Sequence, residues 1–372
     1  MNRTMQHICL ARLLLPVVAI SFLLTLQAVT LGPGETLDWD ANTPSSSESI
    51  TATGGTIVFN SDATVPNNIS LGGEVAVTIN NGASVRFTKT FFQTDPSGRL
   101  VLPCTVRFGS DDEGRYAFLP ENAIAFAPGA SGAKLRLAGY ASMLALPDRW
   151  TSPIAYEYEP NVLVAFYGAN MVTDAAYTVP SGCTIRMTSP TNFAASTVIT
   201  VPANSMFQYR PAVFNPATGA GTGIDTATTT VGSNDVVLAG GTFRIITGTT
   251  HNYWGDISGS GTINIAVAWP NISRNVYHYF YGDVSEMDAQ SELTIDELRS
   301  ENPNMNQGAR LSSDFPGKVK LNFNTQSWDA GGGAIRQQEP SLVRPRRRRS
   351  RLELCKFFKM KIFVLRGIAK VV

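Results

Sequence analysis

Gly241-Thr242-Phe243-Arg244-Ile245 recurs 20 residues later as Gly261-Thr262-Ile263-Asn264-Ile265. Tyr253-Trp254-Gly255-Asp256-Ile257-Ser258 recurs 27 residues later as Phe280-Tyr281-Gly282-Asp283-Val284-Ser285. Upstream, Thr178-Val179-Pro180 and Thr200-Val201-Pro202 stand 22 residues apart, and each leads through a turn into an alternating segment, Thr184-Ile185-Arg186-Met187 or Met206-Phe207-Gln208-Tyr209. Apolar residues at every second position mark strands with one face turned to a core. Such alternation fits a Greek-key β-sandwich as well as a β-solenoid. The recurrent spacing favours the solenoid, because a unit of two or three short strands buries its inward face only by stacking on its neighbours.

The same pattern extends outward, from about Leu37 to Phe323, with Gly, Asn, Asp, Ser and Pro between the segments, as at Asn80-Asn81-Gly82 and Pro180-Ser181-Gly182. Charged residues make up 16% of the chain against about 25% in a typical soluble domain, and Thr, Val, Ile, Gly and Asn take their place. A helix-rich fold is not expected on that composition, and only residues 297–306 read as able to form a helical turn. Residues 88–176 repeat poorly and are expected to carry longer loops or a distinct cap or insert.

The formal net charge of +1 conceals three blocks. Residues 1–28 hold Arg3 and Arg12, no acid, and the apolar run from Leu13 to Leu26 ending near the small residue Ala28, which reads as a secretory signal peptide. A run of that length falls short of the ~20 residues that span a bilayer. Residues 29–343 form the expected solenoid body, with 17 basic and 28 acidic residues. Residues 344–372 hold eleven Lys/Arg and one acid, Glu353, in a composition unlike the body, and read as a disordered extension or a gene-end artefact. Nucleic acid is not an expected partner of the acidic body, and membrane contact is expected only through that basic tail.

The motifs Trp254-Gly255-Asp256-Ile257-Ser258 and Tyr281-Gly282-Asp283-Val284-Ser285, with the alternating segments that follow them, resemble the autotransporter-associated β-strand repeats of secreted bacterial β-helix proteins. The resemblance covers roughly residues 230–325. It implies a right-handed parallel β-helix displayed at or beyond a bacterial envelope. No C-terminal membrane β-barrel of many ~10-residue alternating strands accompanies it in this sequence.

Catalytic signatures are scarce. Of the three histidines, His251 and His278 lie beyond the leader, and neither belongs to a metal-binding or nucleophile-activating motif. Asp111-Asp112-Glu113 offers carboxylates for acid–base chemistry or Ca²⁺, but adjacent strand residues point to opposite faces and a solvated turn is the ordinary reading. Asp38-Trp39-Asp40 with Asn42 likewise offers oxygens to Ca²⁺, against a capping turn over the solenoid end. Gly255, Asp256, Gly282 and Asp283 are read as equivalent turn positions of successive coils, with Asp side chains capping backbone amides rather than holding Ca²⁺. No cofactor is expected. Cys104 and Cys183 lie about three coils apart, too far for a disulfide, and match no metal-ligand spacing.

The best binding candidates are aromatic. Alternation puts Tyr277, Tyr279 and Tyr281 on one face of a strand, with His278 and Phe280 on the other, and the first set joins Trp254 as a platform with polar tips suited to glycan or protein. An aromatic stack inside the solenoid is the ordinary alternative. The resulting expectation is a secreted, extracellular or cell-surface, adhesin-like protein without catalysis, whose outward strands present a polar face rich in Thr, Ser and Asn. A β-helical polysaccharide lyase or hydrolase is the alternative.

Overall fold

A computed structural model describes residues 28–112, 115–215, 220–224, 230–247, 250–267, 276–295, 307–311, 313, 315–321 and 363–364. These residues build a parallel β-solenoid in which strands pair with the strand one coil away. On the first face, Ala28–Leu31, Ser49–Ala52, Asn68–Leu71 and Phe91–Gln93 stack in parallel. A second run on this face begins at Ala117–Leu119 and passes through Tyr140–Met143, Leu163–Phe166, Thr184–Met187 and Met206–Tyr209. It continues through the second halves of Val236–Thr247 and Ile257–Val267 to Glu292–Ile295 and Lys318–Leu321. Separate ladders of the same kind form the other sides of the coil, among them Thr36–Asp38 to Ile124–Phe126 and Ala63–Val65 to Tyr156–Tyr158.

The repeats of the sequence are the registers of these ladders. Thr178 pairs with Thr200, Ile185 with Phe207, Phe243 with Ile263, and Tyr253 with Phe280. Parallel pairing throughout the coils rules out the antiparallel sandwich. The stretch 88–176 joins the same stack through Arg99–Leu102, Val106–Phe108 and Leu135–Leu137, although the first-face ladder is interrupted between Phe91–Gln93 and Ala117–Leu119. An antiparallel hairpin, Ala212–Asn215 with Ala220–Ile224, is inserted between Met206 and its register partner Thr242. It lengthens that coil without breaking the stack, as a surface insertion does at small entropic cost. Among the described residues the helical content is one 3-10 turn, Pro147–Arg149, and no helix is long and apolar enough to cross a membrane. Residues 297–306 and the leader up to residue 27 lie outside the described residues, as does the basic tail apart from Phe363–Val364, which pairs in parallel with Arg310-Leu311; Ala28, at the expected leader end, is the first strand residue, opposite Ser49.

Inside the coils run two aromatic files. In the early coils Trp39, Phe59, Phe87, Phe91 and Phe108 touch in sequence, with ring centroids 5.3 to 6.3 Å apart. In the later coils Phe166, Phe193, Phe207, Phe243, Tyr253 and Phe280 do the same. Rings at these distances contribute about 0.5–1.5 kcal/mol per pair beyond the area they bury. Cys104 and Cys183 are free thiols.

The outward positions of the first face differ from the expected wet, polar surface. Phe118, Ser142, Ala165, Arg186, Gln208, Arg244, Asn264 and Thr294 form one in-register outward column. All are buried except Arg244, which is half-buried. Alternation correctly assigns these residues to the side away from the core, but a second layer covers that side. Tyr116, from the loop before Ala117–Leu119, lies against Arg186 as part of that cover.

Candidate functional site

The Gly-Asp corners meet between the strands His251–Tyr253 and Ile257–Val267 and, one coil on, after Val276–Phe280. A Cβ at Gly255 would sit 2.1 Å from the carbonyl oxygen of Asn234, and one at Gly282 would sit 2.0 Å from that of Gly255. Backbones of successive coils approach too closely here for any side chain, which is the physical reason for glycine at both places. Asp235, Asp256 and Asp283 follow these positions on three coils. The Asp256 N–H donates to Asp235 Oδ1 at 2.9 Å, and the Asp283 N–H donates to Asp256 Oδ1 at 2.6 Å. Asp283 in turn accepts from the Ser285 N–H and Oγ–H. Hydrogen bonds from Ser313 and Ser285 hold the Asp283 carboxyl below its ordinary range. The carboxylates therefore stitch coil to coil, each satisfying an amide that the corner takes out of the ladder.

The residue before each of these glycines points outward. Trp254 is 55% exposed and Tyr281 45% exposed, and they are the large hydrophobic side chains left exposed among the described residues. Their rings stack with centroids 4.1 Å apart and planes 15° from parallel. Tyr279 extends the patch, 6.1 Å from Tyr281. Near-parallel rings this close have their planes across the solenoid axis. One face of Trp254 is covered by Tyr281; the other looks toward the preceding coil, whose Gly232 accepts the Trp254 N–H at 2.7 Å and whose next residue, Ser233, carries no ring. Tyr277 lies on the same strand, with its backbone opposite Gly308, but its side chain lies outside the described residues.

The inward side of this strand carries His278 and Phe280. His251 and His278 are in register on adjacent coils, their rings 6.3 Å apart, both buried, with His251 also against Tyr209 at 4.7 Å. Neither ring nitrogen of His278 meets a hydrogen-bond partner. Burial pushes the His278 imidazole down to about 3, and burial followed by the neighbouring His278 pushes His251 well below its ordinary value. Both are neutral members of the core at neutral pH.

The other sequence candidates lie apart from this corner. Asp111 pairs with Arg86 at 2.8 Å and Asp112 with Arg115 at 3.8 Å, while Glu113 lies outside the described residues. Asp38 Oδ1 accepts the amides of Asp40 and Ala41, and Asp40 accepts the Asn60 N–H and the Ser61 hydroxyl. The Ser61 hydrogen bond, more than any other, lowers the Asp40 carboxyl from its ordinary value. Asn42 donates its N–H to the Asp38 carbonyl. Among the described residues no three His, Cys, Asp or Glu side chains gather with the spacing of a metal site.

The polar column beneath the covering layer is not among the candidates evident from the sequence. The repeat register places Arg186, Gln208, Arg244 and Asn264 at equivalent positions, but nothing in the sequence marks that column as buried. Comparisons with protein-family models, with curated proteins and with solved structures give no match. The functional reading therefore stands on the geometry of this chain.

Proposed function

We propose that this chain is an exported, non-catalytic β-solenoid of the cell surface or extracellular space that binds glycan through the Trp254–Tyr281–Tyr279 patch. The carrying observation is the exposed Trp254–Tyr281 stack at 4.1 Å. Solvent-exposed indole is costly to keep, and an apolar patch with polar tips suits a partner that is itself part apolar and part hydroxylated. A pyranose ring has that character, with C–H groups for the outer face of Trp254 and hydroxyls for the exposed carboxylates of Asp235 and Asp256 one corner away. The rigid stack loses little conformational freedom when a ligand settles on it. The leader-like residues 1–28 support export.

A glycan array probed with wild type and with Trp254→Ala and Tyr281→Ala tests the reading. Wild type is expected to bind at least one glycan class, and each substitution is expected to weaken binding about 10-fold or more, as loss of a central aromatic anchor does. Bound glycan should remain intact. Release of new reducing ends or unsaturated products would instead support the polysaccharide-cleaving alternative, and unchanged binding by both variants would remove the patch from the function.

A further inference from the structure

The covered side of the first face concentrates positive charge without described carboxylates to balance it. Arg186 and Arg244 project from one outward column, separated in register by Gln208. At ~4.8 Å per strand their Cα atoms stand about 10 Å apart. Arg210 follows Gln208 by two residues and so points to the same side. Arg186 is only 4% exposed, its Nε–H donates to Gln208 Oε1, and its guanidinium lies 5.1 Å from the centre of the Tyr116 ring. Arg244 Nε is buried and meets no acceptor. Burial, more than any other influence, lowers the Arg186 guanidinium from its ordinary value, and Arg210 acts in the same direction.

Nothing described nearby is available to neutralise these groups. Glu159 is paired with Arg107, Glu157 with Lys134 and Arg136, Asp174 with Arg149, Asp111 with Arg86 and Asp112 with Arg115. Between Asp174 and Asp256 the sequence holds only Asp225 and Asp235 as acids. Asp235 is exposed at the Gly-Asp corner and bound to the Asp256 amide, and Asp225 lies outside the described residues. An isolated cation in such a place is costly unless it is paired. An acidic body that nevertheless places three arginines together is arranged to receive negative charge there.

We propose that Arg186, Arg210 and Arg244, with the Tyr116 and Tyr167 side chains beside Arg186, form a binding site for an oxyanion with two or more acceptor oxygens, such as a phosphate, a sulfate or the carboxylate of an acidic sugar. Planar guanidinium groups offer paired N–H donors matched to such oxygens. Arg210 and Arg244 are half-buried, so the site opens toward solvent on their side while Arg186 forms its floor. The site is separate from the aromatic patch and does not depend on the function proposed for it.

The test is thermal unfolding of the full chain with phosphate, sulfate or digalacturonate, each compared with chloride at equal ionic strength. A bound oxyanion raises the Tm by roughly 5 °C at about 100 times its Kd, and the three arms separate an inorganic ion from an acidic sugar. Arg244→Met and Arg210→Met, both at half-buried positions, are expected to fold and to lose most of that rise; Arg186→Lys is expected to keep the charge but weaken the response about 10-fold in concentration. Equal stabilisation by chloride would overturn the proposal, as would an undiminished oxyanion response in both Met variants. An absent response in wild type would also overturn it, and its emergence in Glu113→Gln or Asp225→Asn would show that the chain supplies its own counter-ion. A rise with phosphate and sulfate that is lost in the Met variants, but none with digalacturonate, keeps the site and assigns it to inorganic or esterified oxyanions.

Discussion

The early coils, up to about residue 109, and the later coils, from about residue 140 to 295, share one inward architecture and differ in what lies outside it. In Ser49–Ala52, Thr56–Phe59, Asn68–Leu71 and Arg99–Leu102, buried residues alternate strictly with half-buried ones. In Tyr140–Met143, Thr184–Met187 and Met206–Tyr209 only the first residue is half-buried, and Leu163–Phe166 is buried throughout. The early strands are walls between core and water, whereas the later first-face strands lie between two packed layers. Polar side chains on the early walls, such as Thr51 and Ser70, meet solvent at little cost. Equivalent polar side chains in the later coils, such as Gln208 and Asn264, have to find partners inside the protein.

Breaking a corner of the later coils is expected to have the largest effect. Gly255→Ala places a methyl group 2.1 Å from a backbone oxygen, so the neighbouring coil must move, and the expected loss is more than about 3 kcal/mol. Gly82 in the early coils is a turn residue with φ of +70° and nothing near its Cβ. Gly82→Ala is expected to cost only about 1 kcal/mol, the backbone strain alone. Urea denaturation of both variants checks the contrast; equal losses would mean that the close approach at Gly255 is not tight.

Acid is expected to separate the two regions next. His251 and His278 are buried in the later coils with pKa values lowered in the folded state, His278 to about 3. Their neutral forms are favoured by folding, so the stability at stake is present in full above the unfolded value of about 6.5. It is lost as pH falls from there toward the folded values, at about 1.4 kcal/mol per pH unit for each histidine. Hydrogen exchange followed from pH 7 to pH 4 should show the later coils opening before the early ones. His278→Phe, which supplies a ring without a titrating group, should delay that opening. Simultaneous opening of both regions with no effect of the substitution would refute the assignment.

The smallest contrast concerns outward polar residues. Gln208→Ala removes the acceptor of the buried Arg186 Nε–H and is expected to cost about 1–3 kcal/mol, while Ser70→Ala, on a half-buried early wall, is expected to change stability by less than about 0.5 kcal/mol. The same denaturation series reads both. A similar small effect at the two positions would show that the covering layer does not exclude water from Gln208.

The solenoid was legible because its repeats are literal. A 20-residue recurrence in Gly241–Ile245 and Gly261–Ile265 became the pairing of Phe243 with Ile263, and a 27-residue recurrence became the pairing of Tyr253 with Phe280. Alternation also put His278 and Phe280 on one face of the aromatic strand and Tyr281 on the other, and the packing buries the first two and leaves Tyr281 exposed. The contact between Trp254 and Tyr281 follows from the same register. The Arg186 cluster was not legible, because its arginines occur in segments that repeat in pattern but not in residue, and their burial depends on a covering layer distant in sequence.

Strand direction, coil length and the inward set of side chains were local matters, settled by alternation of apolar residues and by repeat spacing acting over 20 to 30 residues at a time. Which outward residues stay wet was not local. Arg186, Gln208 and Asn264 are outward residues that are nevertheless buried, Arg186 against Tyr116 from a loop about 70 residues earlier, whereas Trp254 and Tyr281 at the Gly-Asp corner stay exposed. A strand's pleat assigns each side chain to a face, and only the packing of the whole chain decides whether that face meets water.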